Sequence, residues 1–211
     1  MFSILSYISS SFVLIPLVFG LFKKKSLSPI LFPILYLIIL SGFTEGINII
    51  LSTRSINSMF LINSFTILEF SLLSIFYLRF FKGYYPPKLF YVLIVLFTCL
   101  VIFSSFFINE ITVIDGLSYS VESLIFMAYS LFAFYLILKK LLFQHLLESP
   151  FFWINTAILI YFSGNLFFFL FSTYLQKFNI KDFGTFYALH SVLNITYYIL
   201  ISIGFWKVNR E

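Results

Sequence analysis

Residues 57–81 read NSMFLINSFTILEFSLLSIFYLRFF, running from Asn57 to Phe81 with Glu69 and Arg79 as the only charged side chains. A helix needs about 20 mostly apolar residues to cross the roughly 30 Å hydrocarbon core of a bilayer. This stretch supplies them, and Arg79 lies close enough to its end to reach the interface. Glu69 does not: it sits in the middle of the run, where a charge costs roughly 2.5–3.5 kcal/mol even on insertion scales. Groups that costly face a bundle interior or a wet cavity, so Glu69 marks where function is expected. Glu45, Glu122 and His190 lie in stretches of the same character.

The neighbouring sequence repeats the pattern. Of the 211 residues, 61% are hydrophobic, 23% aromatic and only 10% charged, with a mean hydropathy of +1.05; soluble domains carry about 25% charged residues. Windows of about 19 residues predict seven spans, at 2–22, 28–52, 57–81, 88–107, 117–138, 150–174 and 184–206. The expected fold is all-α, a polytopic bundle of seven transmembrane helices in one domain, 1–211, since no linker is long enough to divide it. The first span has neither a basic start nor a small-residue cleavage site, so it reads as a retained helix rather than a signal peptide. Cys99 is the only cysteine, which excludes an internal disulfide and a cysteine-based zinc site; among Phe97, Leu100 and Val101 it is expected to be packed inside.

The net charge of +5 serves topology rather than nucleic acid. Ten basic residues (Lys23, Lys24, Lys25, Arg79, Lys82, Lys88, Lys139, Lys140, Lys207 and Arg210) fall on one side of the predicted bundle, and Arg54, Lys177 and Lys181 on the other. By the positive-inside bias, the N-terminus is outside and the C-terminus cytoplasmic. Glu110, Asp115 and Asp182 then fall in outer loops, and Trp153 and Trp206 mark the cytoplasmic interface.

Two alignments hint at an internal repeat. Ser28-Pro29 precedes Ser41-Gly42 as Ser149-Pro150 precedes Ser163-Gly164, and matching Phe81-Lys82 to Trp206-Lys207 lays Glu69 over Asn194. This describes a 3+1+3 parallel repeat, an arrangement that places binding sites at the interface between units; chance similarity in apolar sequence is the alternative. Helical spacing also gathers the polar residues. Ser41, Glu45, Asn48 and Ser52 form one stripe on the second span, and Asn63, Thr66 and Glu69 share a face of the third. Tyr119, Glu122 and Tyr129 follow on the fifth, Asn155 and Asn165 on the sixth, and Tyr187, His190, Asn194 and Tyr197 on the seventh. Five such stripes cannot all face lipid. The expected ligand-binding set is Glu45, Asn48, Asn63, Glu69, Glu122, Asn165, Tyr187, His190 and Asn194, around a polar pocket opening outward.

Each residue also has a structural reading. Asn, Ser and Thr in membrane helices act as interhelical glue worth about 0.6 kcal/mol, and Gly42, Gly46 and Gly164 could serve close helix approach. Glu122 could snorkel, and His145 in the connection 144–149 reads as solvated. No Lys or Arg lies deep in a span to pair with the glutamates, and burial without a cation favours the neutral acid. That chemistry suits a small cationic or hydrogen-bonding ligand over an anion. Three Glu and a His could ligate a divalent metal, but no compact ligand motif is present, so neither metal nor cofactor is expected. H-E-x-x-H, a glycine-rich phosphate loop and G-x-S-x-G are absent. Ser163 and His190 lack the leading glycine of a Gly-x-Ser protease segment, and the seventh span has no lysine to link retinal. No catalytic residue is assigned.

The run 152–165 (FWINTAILIYFSGN), with Leu189-His190-Ser191-Val192-Leu193-Asn194 and Gly204-Phe205-Trp206-Lys207, resembles seven-helix membrane proteins of Bacteroidetes-type bacteria, some of which accompany sensor histidine kinases. This resemblance, over the last sixty or so residues, implies a bacterial inner-membrane location and a sensing role with a cytoplasmic histidine kinase as partner. The helix arrangement is also similar to that of the SWEET sugar transporters, although the fifth span lacks the proline that gates them. The expected function is a receptor-like sensing module that signals through a separate cytoplasmic partner, because its own cytoplasmic side offers only short basic loops. A small-solute transporter, proton-coupled or not, is the alternative, disfavoured by the scarcity of polar residues on the cytoplasmic side, and an intramembrane lipid enzyme comes third.

Overall fold

The computed structural model describes residues 2–108, 115–142, 145–177 and 183–208, with side chains throughout except at 2–4, 108, 172–177, 183, 186 and 187. The described residues form helices and no β-strand: α1 Phe2–Ser11, α2 Leu14–Phe22, α3 Phe32–Thr53, α4 Met59–Phe80, α5 Pro87–Phe103, α6 Gly116–Lys140, α7 Pro150–Lys177 and α8 Phe183–Trp206. Among them, seven segments are long and apolar enough to cross a membrane, with α1 and α2 sharing the first. The chain is a multi-pass membrane protein. Most of the expected loops 108–116 and 176–183, with Glu110, Lys181 and Asp182, lie outside the described residues, as does Arg210.

The first span is expected as one helix and is found as two. Pro16 has no N–H and its ring crowds the carbonyl four residues back, that of Phe12. The Phe12 carbonyl accepts from Ile15 N at 3.1 Å instead, and Leu17 N bonds Val13 O at 3.2 Å. Three other prolines stand where helices begin, Pro87 and Pro150 in first positions and Pro33 in the first turn of α3, where a missing donor costs nothing.

The spans close a ring. α8 packs against α7 on one side and against α1 and α2 on the other; α2 then meets α3, α3 meets α4, α4 touches α6, and α6 returns to α7. α5 stands outside the seam between α4 and α6. It buries only Phe90, Phe97 and Val101, a single narrow stripe. Cys99, expected inside, is therefore exposed on α5. Outward faces carry large apolar side chains such as Phe22, Phe43, Phe60 and Phe107, as a lipid-facing surface requires.

The end of the bundle that carries Lys23–Lys25 is packed solid. Ile34, Leu35, Ile38, Leu73, Phe76, Ile154, Ile158, Ile201 and Phe205 are wholly buried there, and Phe151 stacks on Phe80 at 3.9 Å. Small residues let the helices close. A Cβ on Gly20 would meet Leu35 at 2.7 Å, one on Gly204 would meet Ile154 at 2.7 Å, and one on Gly164 would meet Leu193 at 2.8 Å. Gly42 and Gly46 face open space, which overturns the close-approach reading for those two. Asp115, expected in an outer loop, is buried as the N-cap of α6, accepting from Ser118 N and, at 2.7 Å, from Ser104 Oγ. A capping carboxylate satisfies donors that the helix leaves orphaned.

Candidate functional site

The opposite half of the bundle, toward the amino-terminal end, is hollow. A cavity of about 180 Å³ opens between α1, α3, α4, α7 and α8, with α6 contributing Tyr119. The helices lead into it by depth: at 1.5 Å per residue, Ser6 on α1 and Asn48 on α3 lie about 6–8 Å from that end, and Glu69 on α4 about 15 Å, near mid-span. Each polar stripe enters because the opposite face of its helix is apolar and turned to lipid; α3 carries Glu45 and Asn48 inward while Phe43, Ile47 and Ile50 are exposed.

Five of the nine expected residues line the cavity: Glu45, Asn48, Glu69, His190 and Asn194. Glu45 accepts from Ser10 Oγ at 2.7 Å and also engages Asn48, whose Oδ1 accepts from Ser58 Oγ at 2.5 Å. Asn194 Nδ2 donates to Ser9 Oγ at 3.0 Å, and Ser9 Oγ donates to the Ser191 carbonyl at 3.2 Å. Glu69 stands apart, since no side chain among the described residues hydrogen-bonds its carboxyl.

Three expected residues lie off the cavity. Asn165 is wholly buried behind it. Its Nδ2 donates to the Tyr161 carbonyl at 3.0 Å, so Oδ1 must be the atom 3.0 Å from His190 Nδ1. An amide oxygen can only accept, which assigns the proton to Nδ1 of the imidazole. Asn165 thus positions His190 and makes no wall of the pocket. Glu122 is 1% exposed, inside the bundle and in electrostatic range of Glu69, with no partner for Oε1 among the described residues. It does not snorkel, and it is not part of the lining. Asn63 is buried on α4, also away from the cavity. The ninth, Tyr187, belongs to α8, but its side chain lies outside the described ones.

Two parts of the site escape the sequence reading. Ser6, Ser9 and Ser10 of the first span form one wall; their three- and four-residue spacing is the sequence signal that marks them. The other is aromatic. Tyr161, Phe168, Phe169 and Tyr198 line the cavity beside Tyr119 and Tyr197 of the expected stripes, with Tyr161 and Tyr197 rings 4.8 Å apart and Phe168 stacked on His190 at 5.4 Å. In a chain that is 23% aromatic, nothing local distinguishes these rings from core packing.

Asn155, aligned in sequence with Asn165, serves elsewhere. In the packed half, Tyr77 Oη donates to Asn155 Oδ1 at 2.8 Å, and Asn155 Nδ2 donates to the Ser130 carbonyl at 3.2 Å. Tyr77 has one proton, so in the 2.6 Å contact Ser130 Oγ is the donor. His145 is exposed, as expected. Among the described residues no three His, Cys, Asp or Glu side chains converge as metal ligands would. In comparisons with known proteins the chain matches no family model, no curated protein and no solved structure.

Proposed function

We propose that this chain is a receptor-like sensing module of a bacterial inner membrane, with the amino-terminal end outside and the basic end in the cytoplasm, where a separate partner carries the signal onward. The observation that supports it best is the one-sided cavity. Polar lining runs from the amino-terminal end to mid-span and stops on a floor of fully buried apolar side chains. Beyond that floor, Tyr77, Ser130 and Asn155 bond one another and offer a solute nothing. The described basic residues support this orientation: Lys23, Lys24, Lys25, Arg79, Lys82, Lys88, Lys139, Lys140 and Lys207 share the packed end, against Arg54 at the other, and positive charge favours the cytoplasmic side. The short connections there suit a docking partner, and a histidine kinase is the partner that the resemblance of the last third implies.

A small-solute transporter is the second reading, favoured by one feature, the mid-span Glu69 carboxyl in the cavity. Glu69→Gln keeps its shape and removes its charge, and separates the two. In reconstituted vesicles, the sensor shows no solute flux in wild type or variant, while output of a co-expressed partner kinase changes in the variant. Robust wild-type flux across a panel of small solutes, abolished by Glu69→Gln, would overturn the sensing role.

A further inference from the structure

We propose that the cavity takes a small organic ammonium ion, seated on the Glu69 carboxylate and flanked by tyrosine rings; this rests on the reading of the cavity as a ligand site. The lining is one-sided in charge. It contains Glu45 and Glu69 but no Lys or Arg, and Glu122 stands behind in electrostatic range of Glu69. An anion would find no Lys or Arg in the lining to pair with, whereas a cation would supply the partner that a buried carboxyl lacks.

The two lining carboxyls are not equivalent. Ser10 and Asn48 already engage Glu45, while Glu69, deeper, has no hydrogen-bonding side chain among the described residues. Glu69 is therefore the seat. A second and independent feature points to a guest at the same place. Tyr197 lines the cavity and is only 5% exposed, yet its hydroxyl has no partner among the described residues. Buried polar atoms are rarely left so, and a small turn of the ring toward a guest in the cavity would give the hydroxyl a partner.

Size and surface narrow the class further. About 180 Å³ slightly exceeds the roughly 150 Å³ that admits benzene, so one ring or a short branched chain fits and a disaccharide or peptide does not. Tyr119, Tyr161 and Tyr197 present aromatic surface around Glu69, the setting in which an ammonium gains from ring faces as well as from a carboxylate. A hard divalent metal would want six or more oxygen ligands, and the described residues hold no such cluster.

The test uses the full chain in lipid nanodiscs, titrated calorimetrically with benzylammonium, tetramethylammonium, benzyl alcohol and benzoate. Saturable binding of benzylammonium, with benzyl alcohol and benzoate at least about 10-fold weaker, is expected. Glu69→Gln should weaken benzylammonium by about 10- to 100-fold, the worth of one charge-assisted contact. Tyr197→Phe should weaken it less, and Tyr135→Phe on the lipid face not at all. Equal binding of the alcohol, preference for benzoate, or no saturable binding of either ammonium to wild type would each overturn the proposal, and these comparisons need no variant to fold. The sensing role fails separately: benzylammonium that binds and is also carried across vesicles leaves the ligand class standing and removes the sensor. A neutral guest that drives kinase output while ammonium ions do not bind does the reverse.

Discussion

Asn165 spends both ends of its amide inside the protein, one on the Tyr161 carbonyl and one on His190 Nδ1. Replacing it by Leu removes the acceptor that holds the imidazole tautomer. Asn165→Leu is expected to cost about 1–3 kcal/mol, read by thermal unfolding, and nitrogen NMR of His190 should lose the Nδ1-protonated pattern present in wild type. An unchanged spectrum would show that Asn165 does not set the tautomer. Tyr77 gives the matching case in the packed half. Tyr77→Phe strands Ser130 Oγ and Asn155 Oδ1 where water does not reach, so it too should cost about 1–3 kcal/mol. Tyr135 bonds Lys139 Nζ at 2.8 Å on the exposed surface, and Tyr135→Phe should stay within about 0.5 kcal/mol. Equal losses for the two tyrosines would refute the buried network.

Helix against helix, glycines separate into those that permit contact and those that do not. Gly204→Ala drives a methyl toward Ile154 and to within 3.1 Å of the Pro150 carbonyl, a backbone atom that cannot rotate away. A destabilisation of about 1–3 kcal/mol is expected, as for other overpacked sites. Gly42→Ala meets nothing within 4 Å and lies mid-helix, where Ala is favoured over Gly by up to about 1 kcal/mol, so it should be neutral or stabilising. Melting temperatures of the two variants in one detergent make the comparison, and the reverse order would mean that α7 and α8 do not approach as described. Gly164 faces the flexible end of Leu193, which can give, and its alanine should cost less than that of Gly204.

For the whole molecule, the decisive measurement is orientation. With Cys99→Ser as background, an exposed change expected within about 0.5 kcal/mol, single cysteines report on each side. Tyr85→Cys, in the turn between α4 and α5 at the basic end, should resist an impermeant thiol reagent applied outside cells, while a cysteine at Ser55, between α3 and α4, should react. Ready labelling at position 85 would invert the topology and turn the cavity toward the cytoplasm. Class and span number were legible in the sequence because they are local: with no water in hydrocarbon, each apolar run must satisfy its own backbone groups as a helix. Glu45, Asn48, Glu69, His190 and Asn194 were legible as costly groups that must turn inward. Which of the inward groups meet was not, because it depends on how each helix is rotated against neighbours far away in sequence. That rotation, decided only in the tertiary structure, put Glu122 and Asn165 behind the wall, brought Ser9 and Ser10 to Asn194 and Glu45, turned Cys99 and Gly42 away from the core, and added Tyr161, Phe168, Phe169 and Tyr198, which no local pattern singles out, to the wall of the cavity.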